Sequence, residues 1–243
     1  MDPISISAAS GMRARLESLE LLANNLANAE TGGYKADREF YSLFTNAEAT
    51  SDPRTGAQTT LPVIQSHWTD HAQGDFRNTS NPLDVAIQGD GMFGIQTARG
   101  VRYTRNGNFR VSPKGELSTG DGSTVRSQGG GKIVLDPAQA VEIQPDGSVR
   151  QGKEVVGQIE VLRFDDSQIN KEGANYFVAV PGAAGKPSTA QIMQGKLEGS
   201  NVGSAESAVR LVAIMRQFEM LQKAVSIGND LNKHAIEEVA RVS

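Results

Sequence analysis

The stretch Leu83-Asp84-Val85-Ala86-Ile87-Gln88-Gly89-Asp90-Gly91-Met92-Phe93-Gly94 decides the fold. Its second half, Gly89 to Gly94, matches the G-x-G-x-x-G dinucleotide fingerprint letter for letter. That fingerprint works by opening a helix whose N-terminus faces a pyrophosphate. Here Ile95 to Val111 alternate like strands and carry turn signals, so no helix follows. The glycines therefore read as a tight β-turn between strands Leu83–Ile87 and Met92–Gln96, and no cofactor is expected.

Working outward, further short segments read as strands: Val101–Thr104, Phe109–Val111, Lys132–Leu135, Val141–Ile143, Val155–Phe164 and Tyr176–Val180. Between them lie Asn106-Gly107, Pro113-Lys114-Gly115 and Pro145-Asp146-Gly147, all turn signals, and Gly129-Gly130-Gly131 reads as a loop. Many short strands without intervening helices predict an antiparallel β domain.

Both ends change period. From Ile4 to Asn28, residues Ala8, Met12, Leu19, Leu22, Leu26 and Ala29 share one helical stripe, with Arg13, Glu17, Glu20 and Asn24 on other faces. Pro3 suits a helix start, and Thr31-Gly32-Gly33 a helix end. From Ser204 onward, Leu211, Ile214, Phe218, Leu221, Val225 and Ala235 form a heptad-like stripe, widened by Val212, Met215 and Leu231. The fold class is α+β, an antiparallel all-β central domain flanked by amphipathic helices. The division is 1–35 N-terminal helix, 36–75 extended linker, 76–181 β domain, 182–203 return linker and 204–243 C-terminal helix. Such helices gain most of their stability from packing. They must bury their stripes against each other, the β domain or other copies, and are expected to order fully on assembly.

The composition narrows the chemistry. The 243 residues suffice for one large or two modest domains, but aromatics are only 5%, so the core is thin for an enzyme. A net charge of -4 with interspersed charges lacks the basic footprint of a nucleic-acid binder. Cysteine is absent, which removes disulfides, thiol catalysis and cysteine-ligated metals. No apolar run spans a bilayer, and Met1 to Ser10 lack a secretory signal, which taken alone reads as cytoplasmic.

Candidate catalytic and metal residues do not assemble. His67 and His71 are four apart, but Pro62 and the missing H-E-x-x-H glutamate argue for exposed linker histidines. His234 has no evident partner, Asp165-Asp166 reads as a solvated turn, and Asn78-Thr79-Ser80 is a chance sequon. No catalytic, cofactor or metal site is assigned.

Four blocks carry a resemblance. Ala23-Asn24-Asn25-Leu26-Ala27-Asn28 with Thr31-Gly32-Gly33-Tyr34-Lys35 resembles the N-terminal signature of bacterial flagellar rod and hook proteins. Leu83 to Phe93 with Tyr103-Thr104-Arg105-Asn106-Gly107 resembles that family's β core. Leu197-Glu198-Gly199-Ser200-Asn201-Val202 resembles its approach to the C-terminal helix, and Arg216-Gln217-Phe218-Glu219-Met220 the helix itself. The blocks run in family order from end to end, although Ser118 to Lys132 is more polar and glycine-rich than in relatives.

The resemblance implies a structural subunit, exported by the flagellar type III apparatus without a cleaved signal and built into the periplasmic rod. It implies terminal helices that pair as a coiled-coil-like axial segment, with copies of itself and neighbouring rod proteins as partners. The length favours the rod over a hook-type subunit, and Met1-Asp2-Pro3, Leu197 to Val202 and the Arg216 to Met220 block resemble a proximal-rod member more than a distal-rod one. The expected assembly residues are Met12, Leu19, Leu22, Asn24, Asn25, Leu26, Asn28, Leu211, Ile214, Phe218, Leu221 and Val225. For the asparagines, two readings stand: solvent exposure, or amides that fix register across subunit contacts. The competing class is a carbohydrate-active or carbohydrate-binding β module with dimerising helices.

Overall fold

The computed structural model describes residues 3–45 and 60–242. It divides into two compact units, one of Met1–Ala27, Asp37–Thr69 and Gly203–Ser243, the other of Asn28–Ala36 and Asp70–Val202. The architecture is α+β, with one long helix at each end of the chain and a mostly antiparallel β core.

The first unit holds α1 (Pro3–Ala27), β1 (Asp37–Thr45), β2 (Thr60–Thr69) and α2 (Ser204–Val242). In α1 the buried positions are Ala14, Ser18, Leu22 and Asn25, spaced four, four and three apart, so they line one face. Ser18 hydrogen-bonds back to the Ala14 carbonyl at 3.0 Å, which lets a buried hydroxyl sit on that face. The helices pack on each other, and a Cβ added at Gly11 would lie 3.5 Å from Leu221 Cδ1. On α2, Ser207, Leu211, Ile214, Phe218, Leu221, Val225 and Gly228 are protected among the described positions, at alternating spacings of four and three. The two helices thus pack on one another inside the chain, the first of the three options open to them, but the buried face of α1 shares only Leu22 with the expected stripe of Ala8, Met12, Leu19, Leu22, Leu26 and Ala29. The side chains of Ala8, Leu231 and Ala235 lie outside the described residues, as do Met1 and Asp2.

Strands β1 and β2 pair antiparallel, from Asp37 opposite Thr69 to Thr45 opposite Thr60, with a bulge between Phe40 and Tyr41. Both lie in the stretch 36–75 that was expected to be linker. Its overall polarity masked two β-prone runs, Phe40-Tyr41-Ser42-Leu43-Phe44 and Leu61-Pro62-Val63-Ile64. Residues 46–59 of that stretch lie outside the described residues.

The second unit is built of β3 (Phe76–Asn78), β4 (Val85–Gln88), β5 (Met92–Thr97), β6 (Gly100–Thr104), β7 (Phe109–Val111), β8 (Leu117–Thr119), β9 (Thr124–Val125) and β10 (Val141–Ile143). It continues with β11 (Ser148–Gln151), β12 (Glu154–Gln158), β13 (Val161–Arg163), β14 (Ile169–Glu172), β15 (Tyr176–Ala179), β16 (Lys186–Pro187), β17 (Gln191–Gln194) and β18 (Lys196–Glu198). The main sheet runs β14-β15-β6-β5-β9-β8-β7, and β13 joins it through β5. A sheet of β10-β11-β12 and the pairs β17–β4 and β18–β3 complete the unit. Val85, Ile87, Phe93, Ile95, Phe109, Leu117, Ile133 and Val149 share its core, where Phe93 and Phe109 meet edge-on at 5.2 Å. Each such side chain contributes roughly 1.5–3 kcal/mol through burial.

Three expectations shift here. The turn Gly89–Gly91 joins β4 to β5, yet β4 pairs with β17 and β5 with β6, β9 and β13. It is a crossover between sheets rather than a hairpin turn, and the strand β5 follows it where a dinucleotide fold needs a helix. Lys132–Leu135 forms only isolated bridges, Lys132 with Arg126 and Val134 with Glu116, while Ile133 and Leu135 still fill the core. The return segment 182–203 carries β16, β17 and β18, because chain arriving from the β core pairs with the edges of β13, β4 and β3. The polar stretch 118–132 includes β9 and a turn in which Thr119 and Ser123 bond to the Asp121 carboxylate.

Candidate functional site

Within the β unit lies a buried cluster of three charges. Glu198 and Lys35 are each 1% exposed and Arg105 is 4% exposed. Lys35 Nζ donates to Glu198 Oε1 at 2.6 Å and to the Ala72 carbonyl at 2.7 Å. Arg105 Nε donates to Glu198 Oε2 at 2.8 Å, and its Nη1 donates to the carbonyls of Gly89 and Gly91 at 2.8 and 2.6 Å. The Gly74 amide adds a third donor to the carboxylate at 3.1 Å. Each of these bonds is charge-assisted, the strong kind inside a low dielectric. Burial pulls the Lys35 ammonium below the ordinary lysine range, opposed by the neighbouring Glu198 carboxylate.

Backbone contacts tighten the same point. The Gly33 amide donates to the Glu198 carbonyl at 2.9 Å, and Gly33 adopts φ +68. A Cβ there would collide with the Asn106 amide nitrogen, so both conformation and space require glycine. A Cβ at Gly107 would run into the Val85 carbonyl oxygen. Asn201 accepts from the Ala36 amide at 2.7 Å and donates to the Asp70 carbonyl at 2.7 Å. Lys171 donates to the Lys35 carbonyl at 2.7 Å and stands over the buried Tyr34 ring at 3.8 Å. Residues from five separated stretches, 33–36, 70–74, 87–107, 171 and 198–201, are thereby held in one clasp.

A cleft of about 530 Å³ adjoins the clasp, lined by Lys35, His71, Arg105, Arg163, Asp165 and Asp166 among others. His71 is half-buried against Phe177, with ring centroids 5.4 Å apart, rather than an exposed linker residue. Burial lowers its pKa, and its Nδ1 has no hydrogen-bond partner among the described residues. His67 is exposed on β2, His234 lies 3.9 Å from Glu237, and Asp165 lies 3.7 Å from Lys186. Among the described residues no group of three or more His, Asp or Glu is placed to hold a metal ion.

The expected assembly residues fall in both units. In the helical unit Leu22, Asn25 and Ile214 are buried, while Met12, Leu19, Leu26, Leu211, Phe218, Leu221 and Val225 are half-buried. Asn24 is exposed. Asn25 serves its own chain: its Nδ2 donates to the Asp37 carbonyl at 2.8 Å and its Oδ1 accepts from the Asp37 amide at 3.0 Å. These two bonds dock the start of β1 on the end of α1. Asn28 belongs to the β unit, where its Oδ1 accepts from the Thr31 hydroxyl at 3.2 Å. Helix α1 stops at Ala27, so Thr31-Gly32-Gly33 builds the clasp instead of capping the helix.

Three family models match the chain in order. Residues 7–35 match the flagella basal body rod protein model, 86–151 the flagellar hook protein FlgE/F/G D1 domain, and 193–238 the flagellar basal body rod FlgEFG C-terminal model. A flagellar basal-body rod protein FlgF of Caulobacter vibrioides is 35% identical over 231 residues, covering 93% of both chains. The chain belongs to the flagellar basal-body rod protein family. A FlgG of Caulobacter vibrioides is 32% identical over 250 residues, with 93% of this chain and 95% of the relative covered. A FlgF of Salmonella typhimurium is 31% identical over 243 residues, covering 93% and 94%. Among rod proteins the chain is most like those named FlgF. The family is structural and not enzymatic, and the carbohydrate-module reading is not favoured.

The rod-family blocks now have a physical meaning. Gly33 and Lys35, Arg105 with Gly89 and Gly91, and Glu198 with Asn201 come from three of the quoted blocks and meet in the clasp. Sequence reasoning quoted all of these residues without pairing them. Lys35 and Glu198 are 163 positions apart, beyond the reach of any local spacing rule. The available signal was a charged residue near glycine in each block, Lys35, Arg105 and Glu198.

Proposed function

We propose that the chain is a self-assembling subunit of the flagellar rod, proximal in position, whose terminal helices form a coiled-coil-like axial segment while the β unit packs outside it. In this reading the parts divide as helix 1–35, connection 36–75, β domain 76–181, return 182–203 and helix 204–243. The subunit is exported by the flagellar type III apparatus, without a cleaved signal, to the periplasmic rod. The observation that carries the reading is the end-to-end relationship to rod proteins, at 35% identity over 93% of the chain, in a molecule whose α1 and α2 pack together. Burial of apolar helix surface at roughly 25 cal/mol per Å² supplies the drive, and heterologous contacts that do not close propagate a filament.

Electron microscopy of basal bodies from a strain lacking the chain tests this. The expected result is a truncated or absent rod and loss of motility. Leu22→Asp or Leu221→Asp should abolish assembly while the β unit stays folded. Complete rods in the strain lacking the chain would refute the reading.

A further inference from the structure

Asn106-Gly107 is the one Asn-Gly step in the chain, and the sequence offers it as a turn. Neither residue takes a positive φ, so the glycine is not there for a left-handed turn. It is there for space. The Gly107 carbonyl accepts from the Val85 amide at 3.0 Å, and a Cβ at Gly107 would strike the Val85 carbonyl. A Cβ at Gly33 would strike the Asn106 amide nitrogen and the Arg105 carbonyl. The Asn106 amide donates to Thr104 Oγ1 at 3.0 Å, and the Asn106 Oδ1 accepts from the Asn108 amide at 3.1 Å. The step is therefore held by hydrogen bonds at Asn106 and Gly107 alike, with the backbones of Gly33 and Val85 pressed on it, and Gly107 is buried.

An Asn-Gly step carries its own reaction, because the glycine has no side chain to hinder it. The Gly107 amide nitrogen gives its proton to solvent base and attacks Asn106 Cγ. The new C–N bond closes a succinimide ring, and the side-chain nitrogen leaves as ammonia. Water then opens the ring at either carbonyl, leaving aspartate or isoaspartate, in which the main chain runs through Cβ. Closing the ring swings the Gly107 amide about the Asn106 Cα–C bond. In the folded chain the hydrogen bonds and the close-packed backbone around the step forbid that swing. In the unfolded chain nothing does.

We infer that Asn106 is a site of spontaneous deamidation which the fold silences, and that a chain carrying isoaspartate there cannot close its β unit. Isoaspartate adds a backbone carbon between Arg105 and Asn108, and both ends of that span are fixed. Arg105 is held by Glu198, Gly89 and Gly91. Asn108 donates to the Asp84 carboxylate at 2.9 Å and forms a β-bridge with the same residue. Where no Cβ fits at Gly33 or Gly107, an added main-chain carbon has no place. The time a chain spends unfolded thus sets how much of it can still fold, whatever the chain goes on to build.

The full chain tests this without substitution. One sample is held in guanidinium chloride and another in native buffer at the same mildly alkaline pH, with slow hydrogen exchange across β5 confirming the fold of the second. Mass spectrometry of peptides spanning 103–110 should show deamidation of Asn106 in denaturant. In the folded chain it should run at least about tenfold more slowly, since the reaction then proceeds only through opened molecules. Returned to native buffer, the aged chain should divide under limited proteolysis. Isoaspartate, told from aspartate by electron-transfer fragmentation, should be confined to the digested fraction. Asn106→Asp adds the carboxylate without the extra backbone carbon and should resist digestion as the parent does. Equal deamidation rates in the two samples overturn the protection. Isoaspartate in the resistant fraction, or digestion of Asn106→Asp along with the isoaspartate form, overturns the block on folding.

Discussion

In the β unit charges lie among apolar strands with their partners fixed, whereas in the helical unit large apolar side chains stand in solvent beside charges. Lys35, Arg105 and Glu198 are almost wholly buried and bonded to each other and to backbone carbonyls. Val209, Met220 and Ile227 are mostly exposed on α2. A buried charge cluster is tolerated only when every member is paired, so it behaves as an all-or-none lock. An exposed apolar face has no such completion within the chain and is satisfied by a neighbour. The β unit therefore has the character of a finished body, and the helical unit that of a connector.

The strongest way to break this contrast is to unlock the β unit. Glu198→Gln leaves two cations buried without their shared anion and should cost about 3–5 kcal/mol. The loss should appear as faster amide hydrogen exchange across β5 and β18. Exchange unchanged from the parent would show that the clasp holds nothing. A second break targets the helices: Leu22→Ala removes a buried side chain and should cost about 2–5 kcal/mol, while Val209→Ala on the outer face should change stability by less than about 0.5 kcal/mol. Trp68, the only tryptophan, lies on β2 in the helical unit, so its fluorescence during urea unfolding follows that unit alone. Equal losses from both variants would erase the distinction between inner and outer faces.

Asn25 sharpens the comparison at smaller scale. It is a buried polar side chain in the helical unit, locked like the clasp by two bonds to the Asp37 backbone. Asn25→Ala should cost about 1–3 kcal/mol, since the Asp37 amide and carbonyl lose partners. Asn24→Ala, at an exposed neighbour, should cost far less. If the two were alike in the Trp68 transition, Asn25 would not be the hinge between α1 and β1.

Legibility followed the range of the interactions. The helices were readable because a stripe needs only neighbours three and four apart, and Leu211 to Val225 announces itself. Strands such as Met92–Thr97 and Phe109–Val111 were readable for the same reason. The strands β1 and β2 were hidden because a polar stretch separates and flanks their short apolar runs, Phe40 to Phe44 and Leu61 to Ile64. The strands β17 and β18 were missed because they pair with β4 and β3, more than a hundred positions away. Lys132–Leu135 alternates as a strand does, yet Ile133 and Leu135 are buried without a full ladder. The clasp was invisible in pairing though visible in composition, since a buried ion pair depends on where the chain returns. On α2 the expected stripe of Leu211, Ile214, Phe218, Leu221 and Val225 is the protected one, whereas Val212 and Met215, expected to widen it, stay exposed, because only the position of α1 decides how wide a face is covered.

The smallest expected effect is a pH dependence confined to the β unit. His71 is half-buried against Phe177, and burial lowers its pKa below the ordinary value near 6.5. Asp166 and Asp70 oppose that shift, while Lys35 and Arg105 add to it. Above about 6.5 the imidazole is neutral in both folded and unfolded chains. As pH falls through that value the unfolded chain takes up the proton first, so stability declines until the folded histidine also titrates. Carboxylates add their own slope only below about 5, which leaves roughly one to two pH units where His71 acts alone. His71→Phe keeps the ring against Phe177 and removes the proton. In that window hydrogen exchange of β15 amides should rise with acid in the parent and stay level in the variant. The Trp68 signal should stay level in both, since His71 lies in the other unit. Parallel slopes for parent and variant would mean that the histidine is protonated as easily in the folded chain as in the unfolded one, and that the interior beside the clasp is wetter than its buried charges imply.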